Sequence, residues 1–411
     1  MKKKLLAAAV ATAFAAPVAA FAQSTVTIGG TLYLEYSFAD YGPANNAART
    51  DLGNIDQLQT PGSELVLRGE EKLGGGMSAW FQCASTFDVR GASPQGFCGR
   101  NSAIGLRGSY GNVFVGNWDT PFKRVAAANR IVQETGTWGA SFLLLGGAST
   151  YEGRADPQSF ARRASNSISY ESPSLGGFQV MLMTTALGTN STPTTNPITG
   201  ATQFTPGAIS SLLTTAPVGS KNRLTSIGAT YTAGPLNLTA GYEEHKNFWN
   251  GATTAVGVAP VAFTGTDKGY VLSAGYTIGP VKLGLIYANM KFEPTAATNS
   301  KVSTYNLAAD WKITGPGTIR VGYTSAGDVK GNGGAIGAGS RQGARPAAGV
   351  DTGADMWQIN YVHALSKRTE GTIGYVRLSN DLNANYALGG AIRGGTGGDQ
   401  SAYGLSIRHR F

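Results

Sequence analysis

From residue 63 onward, apolar or aromatic side chains recur at every second position over runs of eight to eleven residues, with small or polar side chains between them. A period of two is that of a β-strand, whose successive side chains point to opposite faces. In the last nine residues Tyr403, Leu405, Ile407, His409 and Phe411 share one face, while Gly404, Ser406, Arg408 and Arg410 share the other. The same alternation sets Ile319, Val321 and Tyr323 against Thr318, Arg320, Gly322 and Thr324, and Tyr305, Leu307, Ala309 and Trp311 against Asn306, Ala308 and Asp310. It recurs at Ile227, Ala229 and Tyr231, at Leu236, Leu238, Ala240 and Tyr242, and at Leu283, Leu285 and Tyr287.

The character of the two faces indicates what surrounds the strands. A soluble sandwich has an apolar inner face and an outer face rich in Lys, Glu and Thr, because water touches it. Here the polar face is mostly Gly, Ser, Thr and Asn with sparse Arg, and the apolar runs end in Tyr or Trp. That combination predicts strands with lipid outside, aromatic girdles at two interfaces and a wet interior.

Connections alternate short and long. Turns are predicted at 73–76, 110–111, 173–177, 233–235, 278–280, 314–317 and 364–367, and long loops at 39–62, 88–99, 119–162, 187–222, 247–268, 293–301, 327–353 and 380–400. Seven turns and eight loops join sixteen strands, the first beginning near Thr25 and the last ending at Phe411. The expected fold is all-β: a 16-stranded antiparallel transmembrane β-barrel, closed because an open edge would leave unpaired amides in hydrocarbon.

Composition narrows the alternatives. Glycine is 58 of 411 residues, about twice the usual share, and charged residues are only 14%. With 42% hydrophobic residues and a mean hydropathy of −0.10, the chain can build a core but not a bundle of membrane helices. After the first 22 residues no apolar run approaches the roughly 18 that a membrane helix needs. Those first residues read as a cleaved export signal: Lys2, Lys3 and Lys4, an apolar stretch from Leu5 to Phe21, and the small-x-small triplet Ala20-Phe21-Ala22. Residues 23–411 would then form the barrel, with 30 Lys+Arg against 24 Asp+Glu, a net charge of +6 after three lysines are subtracted from 33. These charges are scattered along the chain, which argues against a nucleic-acid partner.

Cys83 and Cys98, the only cysteines, lie 15 residues apart in a chain expected to be exported, so a disulfide across the second long loop is predicted; two buried free thiols are the alternative. His245, His363 and His409 are isolated from them, so neither a metal site nor a cofactor is expected. Only His245, after Glu243 and Glu244, lies near a loop, and it is the sole candidate base for a barrel enzyme such as a phospholipase or protease. The glycine-rich stretch 331–339 follows no buried strand and opens no helix, so it reads as a loop and not a nucleotide cradle.

Five short stretches, in order and at hairpin spacing, give the chain a family likeness: GEEKLGGG at 69–76, IGLRG at 104–108 followed by Tyr110-Gly111, NSISYESP at 166–173, LSKRT at 365–369 and IRHRF at 407–411. Across essentially the whole mature chain the sequence resembles the trimeric general porins of Gram-negative bacteria, in the branch common among beta-proteobacteria. The resemblance implies an outer-membrane homotrimer in lipid. Each barrel would be a passive, water-filled channel for small hydrophilic solutes and ions, narrowed midway by the third long loop folded into the lumen. It also implies that the insertion machinery reads the terminal Phe411. In this sequence the third loop is 119–162, and its apolar run Phe142 to Leu145, close after Trp138, is what a loop packed on the inner wall would carry.

The chain departs from the family where relatives place arginines, with Glu64 and Asn117 at those positions, and the family's usual Pro-Glu-Phe-Gly-Gly-type signature is absent from the third loop. Strand parity supplies the expected pore charges instead. It places Arg68, Arg107 and Arg163 on the lumen side as a basic ring, joined from the loop by Lys123, Arg124 and Arg130, with Asp119, Glu134 and Glu64 as the acidic counterparts. Arg154, Glu152 and Asp156 also lie on the loop. A net basic lumen predicts a modest anion preference; wall-to-wall pairing with Glu64, Glu70 or Glu171, which would set no selectivity, is the alternative for each arginine. An adhesin or receptor role for the Gly-, Asn- and Thr-rich loops is a further alternative.

Overall fold

The computed structural model describes residues 25–42, 53–91, 96–132, 136–137, 160, 162–185, 194–195, 202–203, 223–246, 265–295, 297–313, 315–334, 346–388 and 396–411. The proposed signal segment 1–22 and most of the third loop, including Glu134, Trp138, 142–145, Glu152, Arg154 and Asp156, lie outside the described residues.

Sixteen antiparallel strands close into a barrel: β1 (Thr25–Asp40), β2 (Asn54–Gln59 and Glu64–Gly74), β3 (Met77–Thr86), β4 (Ser102–Gly108), β5 (Gly111–Asp119), β6 (Arg163–Glu171), β7 (Phe178–Thr185) and β8 (Arg223–Ala233) form the first half. The second half is β9 (Leu236–Lys246), β10 (Thr266–Ile278), β11 (Val281–Thr295), β12 (Thr298–Lys312), β13 (Gly317–Ala326), β14 (Ala354–Ala364), β15 (Thr369–Asn380) and β16 (Gln400–Arg410). Each strand pairs with its sequence neighbour, and β1 pairs with both β2 and β16. The seam between the first and last strands runs from Thr31 opposite Arg410 to Asp40 opposite Ser401. Beyond it, Gly30 and Phe411 exchange backbone hydrogen bonds of 3.1 and 3.2 Å. A β-carbon at Gly30 would stand 2.2 Å from the Glu64 carbonyl oxygen and 2.8 Å from the Phe411 ring, so only glycine fits where the two ends meet.

All seven short turns stand where the alternation breaks. Ladder hydrogen bonds continue into three of the expected long loops, among them 327–353, where Lys330 and Gly331 pair with Lys301 and Ser300. Residues 54–59, read as loop, pair with Glu35–Asp40 of β1. The loop expected at 293–301 is a tight hairpin in which Phe292 faces Ser300 and Thr295 faces Thr298 across a bulge.

The outer surface carries the apolar set. Leu238, Leu272, Leu285, Leu307, Ile359, Ile373 and Leu405 are exposed in the middle of the strands. Phe178, Tyr231, Tyr276, Trp311, Tyr361 and Phe411 are exposed toward the short-turn end, and Phe38, Tyr242, Tyr270, Tyr305, Trp357, Tyr375 and Tyr403 toward the long-loop end. Aliphatic residues between two aromatic belts mark the hydrocarbon zone of a bilayer. Among the described residues no helix is long and apolar enough to cross a membrane.

Part of the inner wall is apolar and is covered by the third loop. Val271, Ile286, Ala288, Met290, Phe292 and Val302 of β10 to β12 form one cluster with Phe122, Val125, Ala126 and Phe160 from the third loop. That loop therefore folds inward, and the barrel wall is its core.

Candidate functional site

The third loop leaves β5 at Asp119 and immediately forms a helix, α1 (Pro121–Ala128). The local sequence favours this: Thr120 is the N-cap, its hydroxyl accepting from the Lys123 amide at 3.3 Å, and Pro121 stands at the first helical position, where its fixed φ suits the helix and its missing N–H is no loss. The buried positions Pro121, Phe122, Val125 and Ala126 make one face, which lies on β7 to β10. Wall hydroxyls satisfy backbone groups of the helix. Ser226 accepts from the Phe122 amide at 3.0 Å, and Thr239 donates to the Val125 carbonyl at 3.0 Å. Past the helix, the Asn129 side-chain amide donates to the Ser273 hydroxyl at 2.7 Å. The loop neck is closed by the Thr120 amide on the Arg162 carbonyl at 3.0 Å.

Glycines in the wall make this approach possible. A β-carbon at Gly241 would sit 2.5 Å from Val125, at Gly269 2.7 Å from Phe160, at Gly275 2.1 Å from the Asn129 side chain, and at Gly284 2.2 Å from the Asn129 carbonyl oxygen. The high glycine content thus includes a groove in which the loop is seated. On the other side of the lumen, Thr137 docks on β1 and β2: its amide donates to Glu35 at 2.8 Å, and its hydroxyl meets Ser37 at 3.0 Å and Gln59 at 3.1 Å. Glu35 and Ser37 are fully buried there, with the Tyr33 hydroxyl donating to Glu35 at 3.0 Å. The sequence pointed to 142–145 as the inward-packing segment; the described contacts come from α1, Ile131, Val132, Thr137 and Phe160. The spacing Phe122, Val125, Ala126 behind Thr120-Pro121 is the signal that identifies α1 as a helix.

The charged residues expected at the constriction divide into two groups. Arg68 projects from β2 on the inner face, exposed, with its Nε donating to Gln82 at 2.8 Å. Arg107 of β4 lies over the Trp80 ring at 5.1 Å and 3.9 Å from the nearest Glu70 oxygen. Arg124 of α1 reaches across to Glu171 of β6. These three line one cavity of about 620 Å³ with Thr27, Trp80 and Trp118.

Arg163 is not part of that ring. Counting parity back from Ile168 and Tyr170 fails because a bulge intervenes: Gly116 pairs with Ser167 but Trp118 pairs with Ala164, so 165 and 166 oppose Asn117 alone, with Asn166 at a φ of 50°. The extra residue reverses the alternation. Ala164 is now the buried inward residue beside Trp118, and Arg163 faces Asp119. Its Nε donates to Asn101 at 2.6 Å and lies 3.5 Å from the Asp119 carboxylate, which also holds Lys123 at 2.6 Å and accepts from Asn101 at 3.0 Å. Asp119 is thus surrounded by two cations. Glu64 is likewise paired, with Arg100 at 2.8 Å. Arg130 is half-buried just after α1.

Further arginines beyond the expected basic ring also face inward by strand parity. Arg320 of β13 pairs with Asp310 at 3.0 Å, and Arg408 and Arg410 of β16 share Glu370 at 3.1 and 3.7 Å. Arg408 also stacks over Tyr33 at 5.0 Å. His245, the one candidate base, is fully buried between Glu243 at 2.8 Å and Asp267 at 3.9 Å, with the Phe160 ring stacked on it at 4.7 Å. Solute in the lumen does not reach it. Cys83 and Cys98 form a disulfide, with Cα atoms 4.7 Å apart, across the second long loop.

A closed sixteen-stranded barrel with an inward-folded third loop is matched by a family model described as Gram-negative porin, which covers residues 7–383. The chain belongs to the Gram-negative porin family. It is a channel-forming barrel of the outer membrane, a class of barrel whose short turns lie on the periplasmic side. Among its relatives, the outer membrane porin protein 32 of Delftia acidovorans is 27% identical over 417 residues, covering the whole of both chains. An outer membrane porin of Bordetella pertussis is 27% identical over 434 residues, again covering both entirely. The major outer membrane protein P.IB of Neisseria gonorrhoeae is 29% identical over 184 residues, 43% of this porin and 46% of that protein. Among solved structures, an anion-selective porin from Comamonas acidovorans superposes with a TM-score of 0.66 at 23% identity, over 95% of this chain and all of that one.

Proposed function

We propose that this porin passes small hydrophilic solutes and ions by passive diffusion, with a modest preference for anions set by the lumen wall on the periplasmic side of the third loop. The observation that carries this is the surplus of arginine there. Set against Arg68, Arg107, Arg124, Arg320, Arg408 and Arg410 are four carboxylates, Glu70, Glu171, Asp310 and Glu370. Paired charges cancel at a distance, so the residual field is weak. Within a Debye length, about 8 Å at physiological salt, a small imbalance at the wall still biases permeation. The anion selectivity named for the Comamonas acidovorans porin agrees with this sign.

The functional unit in this reading is a homotrimer, and the chain carries out no catalysis. Burial of His245 beneath Phe160 supports the latter, since a base must reach its substrate. Liposome swelling with sugars of increasing size tests the channel itself. Uptake of small sugars with a sharp size cut-off is expected, and liposomes impermeable to every sugar would overturn the reading.

A further inference from the structure

Beyond the aromatic belt at the long-loop end, strand register brings four lysines into one row on the outer face of the barrel. Lys268 of β10 stands opposite Lys291 of β11, Lys291 opposite Lys301 of β12, and Lys301 opposite Lys330 in the short segment after β13. The first three share the parity of Tyr270, Tyr287 and Tyr305 on their strands, and the alternate residues Asp267, Met290, Val302 and Val329 are buried on the inner side. Lys268, Lys301 and Lys330 are exposed, and the Lys291 side chain is 41% exposed. With neighbouring strands about 5 Å apart, the row spans about 15 Å.

Like charges directly opposite each other on a sheet repel, so such a row costs stability unless anions lie beside it. The protein supplies few. Among the described residues of β9 to β12, the acids on this face are Glu244 and Glu293. Glu293 pairs with Lys291, while Glu244, opposite Lys268, is held by Lys246 at 3.3 Å and accepts from the Tyr242 hydroxyl at 3.2 Å. The next carboxylates, Asp328 and Asp355, accept from the Thr352 amide at 2.7 Å and the Tyr323 hydroxyl at 2.6 Å. Lys268, Lys301 and Lys330 form no ion pair among the described residues.

The surroundings of the row follow from the residues beneath it. The same strands carry both aromatic belts, Tyr276 and Trp311 toward the short turns and Tyr242, Tyr270 and Tyr305 toward the long loops, with Leu272, Leu285 and Leu307 exposed between them. This sector therefore faces lipid, and the lysines stand one or two same-face positions past the tyrosines, at the level of the head groups. Their apolar stems can lie along the wall while the ammonium groups reach that layer. We propose that the row formed by Lys268, Lys291, Lys301 and Lys330 binds the phosphate groups of lipids in the outer leaflet. Ammonium suits this task, being a compact charge on a flexible stem that needs no fixed orientation of the phosphate. Each bound phosphate would relieve the repulsion between neighbouring lysines, so lipid and barrel stabilise each other.

The experiment uses the folded full protein in nonionic detergent, with bisphosphorylated lipid A, the same glycolipid stripped of its phosphates, and inorganic phosphate as probes; bound lipid is measured by co-elution with the protein. Lipid A should bind half-maximally at a concentration at least about tenfold below that for the dephosphorylated lipid. Lys268→Gln, Lys291→Gln, Lys301→Gln and Lys330→Gln together should raise the lipid A midpoint at least about tenfold. Without lipid, the same variant should be as heat-stable as the wild type or more so, since like charges are removed. Four changes near the short-turn end, Lys72→Gln, Lys282→Gln, Lys312→Gln and Lys367→Gln, should leave the midpoint unchanged. Equal binding of the two lipids by the wild type, or equal losses in the two variants, would overturn the proposal. Displacement of lipid A by inorganic phosphate at equal concentration would also overturn it, since the row would then be a site for free anions.

Discussion

Two arginines on neighbouring parts of the wall have different surroundings and should fail differently when changed. Arg163 is largely buried against Asp119 and Asn101, its side chain 12% exposed, whereas Arg68 is exposed to the lumen with a neutral partner. Arg163→Glu would place a carboxylate on Asp119 and is expected to cost about 3–5 kcal/mol, read as a lower temperature for loss of the folded electrophoretic form. Arg68→Glu should change stability by about 0.5 kcal/mol or less but shift ion selectivity toward cations. Equal stability losses would show that both arginines are structural. The wall glycines make a second residue-scale case. Gly284→Val drives a side chain into the Asn129 carbonyl oxygen and should cost about 1–3 kcal/mol, whereas Gly371→Ala, whose nearest neighbour is 3.9 Å away, should be close to neutral in the same melting assay.

At the scale of elements, the docking of α1 in its groove is the feature expected to narrow the pore. Phe122 is fully buried between the wall and Phe160, so Phe122→Ala should weaken docking of the loop by about 3–5 kcal/mol. The expected result is a larger, noisier single-channel current from a barrel that still forms its strands; an unchanged current would show that α1 does not limit the pore. Strands were legible in the sequence because a half-lipid, half-water environment imposes a strict period of two, and Leu405, Ile407 and their counterparts on other strands keep it. What was not legible follows from interruptions to that period. The bulge at Asn166 leaves no mark in residue type strong enough to announce a lost count, so Arg163 was assigned to the inner face. The helix at 121–128 is short and lies inside a long polar loop, where only its capping residues and three apolar positions identify it. Arg320, Arg408 and Arg410 had the correct parity, but their role depends on the closed ring, which brings β16 beside β1.

For the whole molecule, closure and charge are the properties that matter. Phe411 both completes the outer aromatic belt and bonds Gly30 through its backbone, so deleting it removes the last rung of the seam. Outer-membrane yield of the shortened chain should fall sharply while export across the inner membrane continues; equal amounts of folded barrel from both chains would contradict this. The most direct test of the account is the reversal potential of the wild-type channel under a KCl gradient. It should have the sign of chloride permeation, modest in size and shrinking as salt rises and screens the lumen arginines. A clear potassium preference would contradict it, showing that Glu70, Glu171, Asp310 and Glu370 outweigh the arginines beside them.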